Sequence, residues 1–219
     1  MKTIAAVTIG QSPRNDVVGE MSDLVPGTRW IEAGALDFLD EAAISGLQPR
    51  GDSSPLVTRL RSGRTVVVGE HEILDPLQQA VRRVEAEADL VVVLCSGALA
   101  IASRVPILFP GALLSATVRA LNPGLRLFVI VPHEAQIPFH QARWRTLGFD
   151  ATLRAASPYV PADFSAFGRE ARASGATMIL LDCLGYTLTM KAQVAASSGL
   201  PVLLVRSLAA RVAAELLQT

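Results

Sequence analysis

The stretch T-M-I-L-L-D-C-L-G-Y, Thr177 to Tyr186, decides the fold. A mostly apolar run reaches Leu181 and then gives way to an acid, a thiol and, two residues after the thiol, a glycine. The segment D-L-V-V-V-L-C-S-G-A, Asp89 to Ala98, has the same shape. Apolar runs without polar alternation are typical of strands covered on both faces, as in parallel sheets flanked by helices. Cys183 and Cys95 are the two cysteines of the chain, and each stands where such a strand ends.

Working outward, the same grammar recurs. Thr3 to Ile9 predicts a first strand, Asn15 to Leu24 a helix, Arg29 to Ala33 a second strand, and Leu36 to Gly46 a short acidic helix. Leu56 to Arg61 and the return from Arg64 predict a hairpin near 56–69, either at a sheet edge or as a flap. His71 to Ala88 carries Ile73, Leu74, Leu77, Val81 and Val84 on one helical face. The second half reads as helix 111–121 stopped by Asn122-Pro123-Gly124, strand 125–131, helix 133–147, a strand within 148–156, helix 162–173, strand 177–181, helix 187–198, strand 201–205 and helix 206–217. Strands alternating with long helices predict βα units and a parallel sheet. No close internal sequence repeat is visible. The expected fold class is α/β, as two similar lobes with parallel sheets flanked by helices: residues 1–110, residues 111–205, and a C-terminal helix 206–219 packing back on the first lobe. A pocket would then lie between the lobes. One doubly wound sheet is the alternative.

Composition narrows the function. Lys plus Arg and Asp plus Glu number 20 each, which leaves no bulk charge to attract nucleic acid or a membrane surface. Aromatic residues make up 5% of the chain, too few for stacking platforms. No apolar run approaches a membrane span, and M-K-T-I-A-A-V-T-I-G reads as a core strand rather than a signal peptide. Two cysteines without a secretory signal predict a cytoplasmic protein with reduced thiols. No P-loop, G-x-G-x-x-G, HExxH or CxxC pattern occurs, so neither a cofactor nor a metal is expected. The expected partner is a small-molecule carboxylate. The apolar loop Pro106 to Pro110 suits a pocket wall, ordinary packing or the contact of a homo-oligomer.

Ligands in open parallel sheets bind at the carboxyl ends of the strands. Three such ends carry small, polar or reactive residues: Gly10 to Arg14, Cys95-Ser96-Gly97, and Asp182 to Tyr186. Two thiols flanking a carbon acid can invert it without a coenzyme, one thiolate removing the α-proton and one thiol returning a proton to the other face. A single nucleophilic thiolate is the alternative chemistry, and an inert core cysteine is the bland one. On this reading Cys95 and Cys183 are catalytic. Ser12, Arg14, Ser96, the backbone near Gly97 and Gly185, and Tyr186 hold the substrate. Asp182 is expected to brace a loop, since neighbours on a strand point to opposite faces. His133 is expected to cap a helix or face solvent, and His71 and His140 show no metal-ligand spacing.

V-T-I-G-Q-S-P-R-N-D-V (Val7 to Val17), L-L-D-C-L-G-Y (Leu180 to Tyr186) and L-P-V-L-L-V-R-S-L-A-A-R-V-A-A-E-L-L (Leu200 to Leu217) together resemble the AroM family over essentially the full chain. That family is similar to the aspartate/glutamate racemase superfamily, with its hydantoin racemases, maleate isomerases and arylmalonate decarboxylases. The resemblance implies a two-lobed, cofactor-independent racemase, isomerase or related lyase acting on a small carboxylate or cyclic imide. It matches Cys95 and Cys183 to the superfamily's two catalytic cysteines, and Ser12 and Arg14 to its first-strand substrate loop. Ser96-Gly97 stands where the racemases carry Asn-Thr, and Leu184-Gly185 where they carry Thr-His. An ordinary amino-acid racemase therefore does not fit. A non-catalytic carboxylate-binding or regulatory protein on the same scaffold is the second expectation.

Overall fold

The computed structural model describes residues 1–121 and 124–217. The Asn122-Pro123 part of the helix stop named above lies outside them. The chain divides into two compact units, one comprising Met1–Leu113 with the chain's end from Ala209, the other Leu114–Leu208.

Unit 1 is built on β1 (Thr3–Thr8), β2 (Arg29–Gly34), β5 (Leu90–Val93) and β6 (Ile107–Leu108), between which lie β3 (Pro55–Arg59) and β4 (Thr65–Gly69). The four-stranded sheet runs β2-β1-β5-β6 and its pairings are all parallel. Every residue of β1 and β5 is buried, as expected for strands covered on both faces. The helices are α1 (Asn15–Asp23), α2 (Glu41–Ser45) and α3 (Leu74–Val84). Leu77, Ala80 and Val81 of α3 are buried in the core shared with Val7, Val91 and Val93. β3 and β4 form the antiparallel hairpin read from the sequence.

Unit 2 is built on β7 (Arg126–Val131), β8 (Asp150–Ala155), β9 (Met178–Leu181) and β10 (Val202–Leu204), in the order β10-β9-β7-β8, again parallel. Its helices are α5 (Ile137–Thr146), α6 (Phe164–Ala173) and α7 (Leu188–Ser198), and α4 (Pro110–Arg119) and α8 (Val205–Leu217) each contribute to both units. Thr187 caps α7: its Oγ1 accepts the Met190 amide at 3.2 Å. Gly199, in the left-handed region at φ 67°, ends that helix.

Leaving out the hairpin, both main sheets have the strand order 2-1-3-4. The chain is thus a structural duplication that its sequence does not display, and two sheets replace the single doubly wound sheet. Two local readings also change. The helix expected over 36–46 shrinks to α2, because the Asp37 carboxylate turns back to the Gly34 and Ser12 amides instead of permitting helix there. The Pro106 to Pro110 loop holds β6, a short edge strand. Among the described residues, no helix is long and apolar enough to cross a membrane.

Candidate functional site

Cys95 follows β5 and Cys183 follows β9, the third strand of each unit's sheet. That position adjoins the first strand, where the strand order reverses, the usual ligand-binding point of such sheets. The local frames match. The residue before each cysteine donates its amide to the unit's first strand: Leu94 N–H to Val7 O at 2.7 Å, Asp182 N–H to Ile130 O at 3.0 Å. The residue two after each cysteine donates its amide to the sulfur: Gly97 N–H to Cys95 Sγ and Gly185 N–H to Cys183 Sγ, both at 3.3 Å. Both cysteines are thiols rather than disulfide halves, and both are half-buried. An amide aimed at sulfur favours the thiolate. The two glycine amides, expected to hold a substrate anion, are therefore directed at the thiols themselves.

A helix start borders each loop. Gly111, in the first turn of α4, packs so closely on Ser96 that a Cβ would overlap the Ser96 backbone. Around Cys183 the next helix is α7. A Cβ on Gly185 would stand 2.6 Å from Pro158 Cγ and 2.9 Å from Tyr159 Oη. Gly185→Ala is accordingly expected to displace the 156–161 segment and lower stability by about 1–3 kcal/mol, measurable by urea denaturation.

The remaining residues read from the sequence have other partners. Arg14 makes a bidentate contact with a carboxylate, but that carboxylate is Asp16, at 2.9 and 2.8 Å. Only 6% of Arg14 is exposed. Burial pushes the Asp16 carboxyl up, but the Arg14 guanidinium outweighs it and leaves Asp16 below its ordinary value. Ser12 Oγ donates to Asp37 Oδ2 at 2.8 Å, and its amide donates to Asp37 Oδ1 at the same distance. The hairpin tip joins this cluster, with Arg61 Nη2 donating to Asp37 Oδ1 at 3.1 Å and Nε to Ser12 O at 2.6 Å. These bonds make Asp37, which the sequence reading passed over, the hub of the first-strand loop, and they leave Ser12 and Arg14 as its framework.

Tyr186 is fully buried, packed edge-on against Phe164, with its hydroxyl donating to Ala156 O at 2.7 Å. Ring and hydroxyl are thus both taken up by the core of unit 2. Burial holds its phenol well above the usual tyrosine range. Tyr186→Phe is expected to cost about 1–2 kcal/mol by orphaning the Ala156 carbonyl, read as a lowered urea midpoint at unchanged slope.

Asp182, expected to brace a loop, is instead held by a helix, and Glu70 and Arg206 carry no signal in the sequence. Asp182 is 0% exposed and is held by two residues of α5: His140 Nδ1–H donates to its Oδ2 at 3.0 Å, and Arg143 Nη2 bonds the same oxygen. His140 and Arg143 lie three apart and share a helical face, a spacing that could have paired them with a buried acid. Burial alone would push the Asp182 carboxyl up, but Arg143 and then His140 hold it down at about 2. Glu70, just after β4, accepts the Ala98 amide at 3.1 Å. Its Oε2 stands 3.3 Å, and Cys95 Sγ 3.4 Å, from where a Gly97 Cβ would lie. Arg206, 1% exposed, donates from Nε to Leu184 O at 2.7 Å and from Nη2 to Gly185 O at 3.1 Å. Neither Glu70 nor Arg206 has a periodic signal that marks it. His133 caps as expected, its Nδ1 accepting the Ala135 amide at 3.1 Å. Among the described residues, no group of three or more His, Cys, Asp or Glu side chains forms a metal-ligand set.

Solved structures share this architecture. An arylmalonate decarboxylase aligns with a TM-score of 0.65 at 18% identity, covering 99% of this chain and 92% of that one. The maleate isomerase Iso from Pseudomonas putida S16 aligns at 0.64 and 13%, covering 99% and 93%. An allantoin racemase from Pseudomonas fluorescens aligns at 0.60 and 16%, covering 99% and 91%. At these identities the likeness is one of fold. Among curated proteins none matches. The family model described as AroM protein matches residues 4–217; with essentially the whole chain inside that match, this protein belongs to the AroM family.

Proposed function

We propose that this chain is a cofactor-independent enzyme of the racemase, isomerase or lyase type, acting on a small carboxylate or cyclic imide through Cys95 and Cys183. The observation that carries this reading is the matched pair of thiol frames: the third strand of each duplicated sheet ends in a half-buried cysteine whose sulfur accepts the amide two residues on, at 3.3 Å in both. A structural cysteine needs no such frame, and two inert ones need not share it. The fold relatives support the substrate class, since one is an isomerase of maleate, a dicarboxylate, and another a racemase of allantoin, a hydantoin.

In the simplest form one thiolate takes the α-proton and the resulting carbanion is delocalised into the neighbouring carbonyl. The second thiol delivers its proton to the opposite face. Thiol and thiolate have then exchanged places and the carbon is inverted. Ser96-Gly97 and Leu184-Gly185 stand in place of the Asn-Thr and Thr-His of the racemases this chain resembles, so a substrate without an α-ammonium group fits better than an amino acid. The test is incubation with a panel of small 2-substituted carboxylates and hydantoins in deuterated water, read by proton NMR. Deuterium entering the α-position of a panel member, and stopped by prior thiol alkylation, is the expected result. If no member exchanges or turns over, the catalytic reading fails.

A further inference from the structure

The two thiol frames agree in strand position, in the amide bonded to sulfur and in the helix start beside them. They differ in the full charge built against each loop. Around Cys95 that charge is negative. Glu70 bonds the Ala98 amide at 3.1 Å, and its Oε2 lies beside the same glycine as Cys95 Sγ. Around Cys183 it is positive. The buried Arg206 guanidinium holds the carbonyls of Leu184 and Gly185, the two residues following the cysteine.

The other ionisable groups do not reverse this contrast. In unit 1, Glu72 accepts the Ser53 hydroxyl at 2.6 Å and His71 is exposed. Arg59 turns its Nε to Gly63 O, and the first charged residue along α4 is Arg119, in its last turn. The loop after β1 carries its charges as pairs, Arg14 with Asp16 and Arg61 with Asp37. In unit 2 the Asp182 carboxylate is matched by Arg143 and His140. Tyr186 contributes a neutral phenol.

We infer that the two thiols rest in different protonation states, Cys183 as the thiolate and Cys95 as the thiol. An anion beside Cys95 disfavours a second negative charge, and a buried cation behind the Cys183 loop favours one. Under the proposed function, on which the catalytic meaning of this assignment rests, Cys183 is the base or nucleophile that acts first and Cys95 the acid that returns a proton. Glu70 is then a positioning residue that sets the order.

The experiment is alkylation by iodoacetamide from pH 5 to 10, each cysteine followed separately by mass spectrometry of its peptide. The midpoint of each pH–rate curve reports ionisation and is insensitive to how accessible the sulfur is. The expected result is a Cys183 midpoint at least about one pH unit below that of Cys95. Glu70→Gln, which keeps an acceptor for the Ala98 amide and removes only the charge, is expected to lower the Cys95 midpoint by about one unit and leave Cys183 unmoved. Equal midpoints, a lower midpoint at Cys95, or a Cys95 midpoint unmoved by Glu70→Gln would overturn the assignment. No substrate enters this measurement. Ordered midpoints without deuterium exchange would keep the charge asymmetry and remove the enzyme; exchange with equal midpoints would do the reverse.

Discussion

Replacing Cys183 or Cys95 with serine is expected to abolish inversion, lowering turnover by about 10²- to 10⁴-fold. Serine keeps the shape of the side chain and can still accept the Gly185 or Gly97 amide. Its hydroxyl, however, ionises far above neutral pH and cannot take the α-proton. The two variants should not look alike in deuterated water. With Cys183 kept, the enantiomer whose proton faces Cys183 should still exchange, since that step needs only one thiolate. With Cys95 kept, exchange of the opposite enantiomer should be much slower, because that thiol rests protonated. Chiral chromatography reads inversion and NMR reads exchange on the same samples. Full inversion by either single variant would exclude the two-thiol mechanism. Loss of all reaction in Cys183→Ser with full activity in Cys95→Ser would point instead to one nucleophilic thiol.

Asp182→Ala should destabilise unit 2 by about 3–5 kcal/mol. The carboxylate is fully buried, and its removal takes this acceptor from the His140 and Arg143 donors, both largely buried. A Trp30→Phe background leaves Trp144, buried in unit 2 and under the Arg143 guanidinium, as the single indole reporter of urea unfolding. The same pair sets an acid limit. Asp182 is held down from 3.8 to about 2, which corresponds to ~2 kcal/mol favouring the folded state. Because the folded value lies below the unfolded one, this contribution is complete above about pH 4 and is lost as pH falls through about 2. The difference in stability between the parent and Asp182→Ala should therefore narrow between pH 4 and pH 2. A constant difference across that range would show that the carboxylate is not the group responsible.

Asp182 and Cys183 also illustrate how far the linear chain could be read. Alternation along an extended strand already sent these neighbours to opposite faces, and the structure gives the acid to α5 and the thiol to the strand-end loop. The apolar runs before Cys95 and Cys183 announced buried parallel strands, because a strand covered on both faces has no polar alternation to hide. α3 announced itself through its apolar face, and the β3–β4 hairpin through its turn. The sequence marks Arg14 as a carboxylate fork, and in the structure that fork meets Asp16, two residues away.

What the sequence by itself determined was local: which segments are strands and helices, where each apolar run ends, and that a thiol stands at two of those ends. These follow from periodicity and turn chemistry, which neighbouring residues carry in full. Only the tertiary structure decided that both sheets have the same strand order, that Asp37 collects Ser12 and Arg61, that His140 and Arg143 serve Asp182, and that Glu70 and Arg206 charge the two thiol loops oppositely. Those relations join residues 20 to 50 positions apart. Their energy lies in distance and burial, which no short window of sequence encodes.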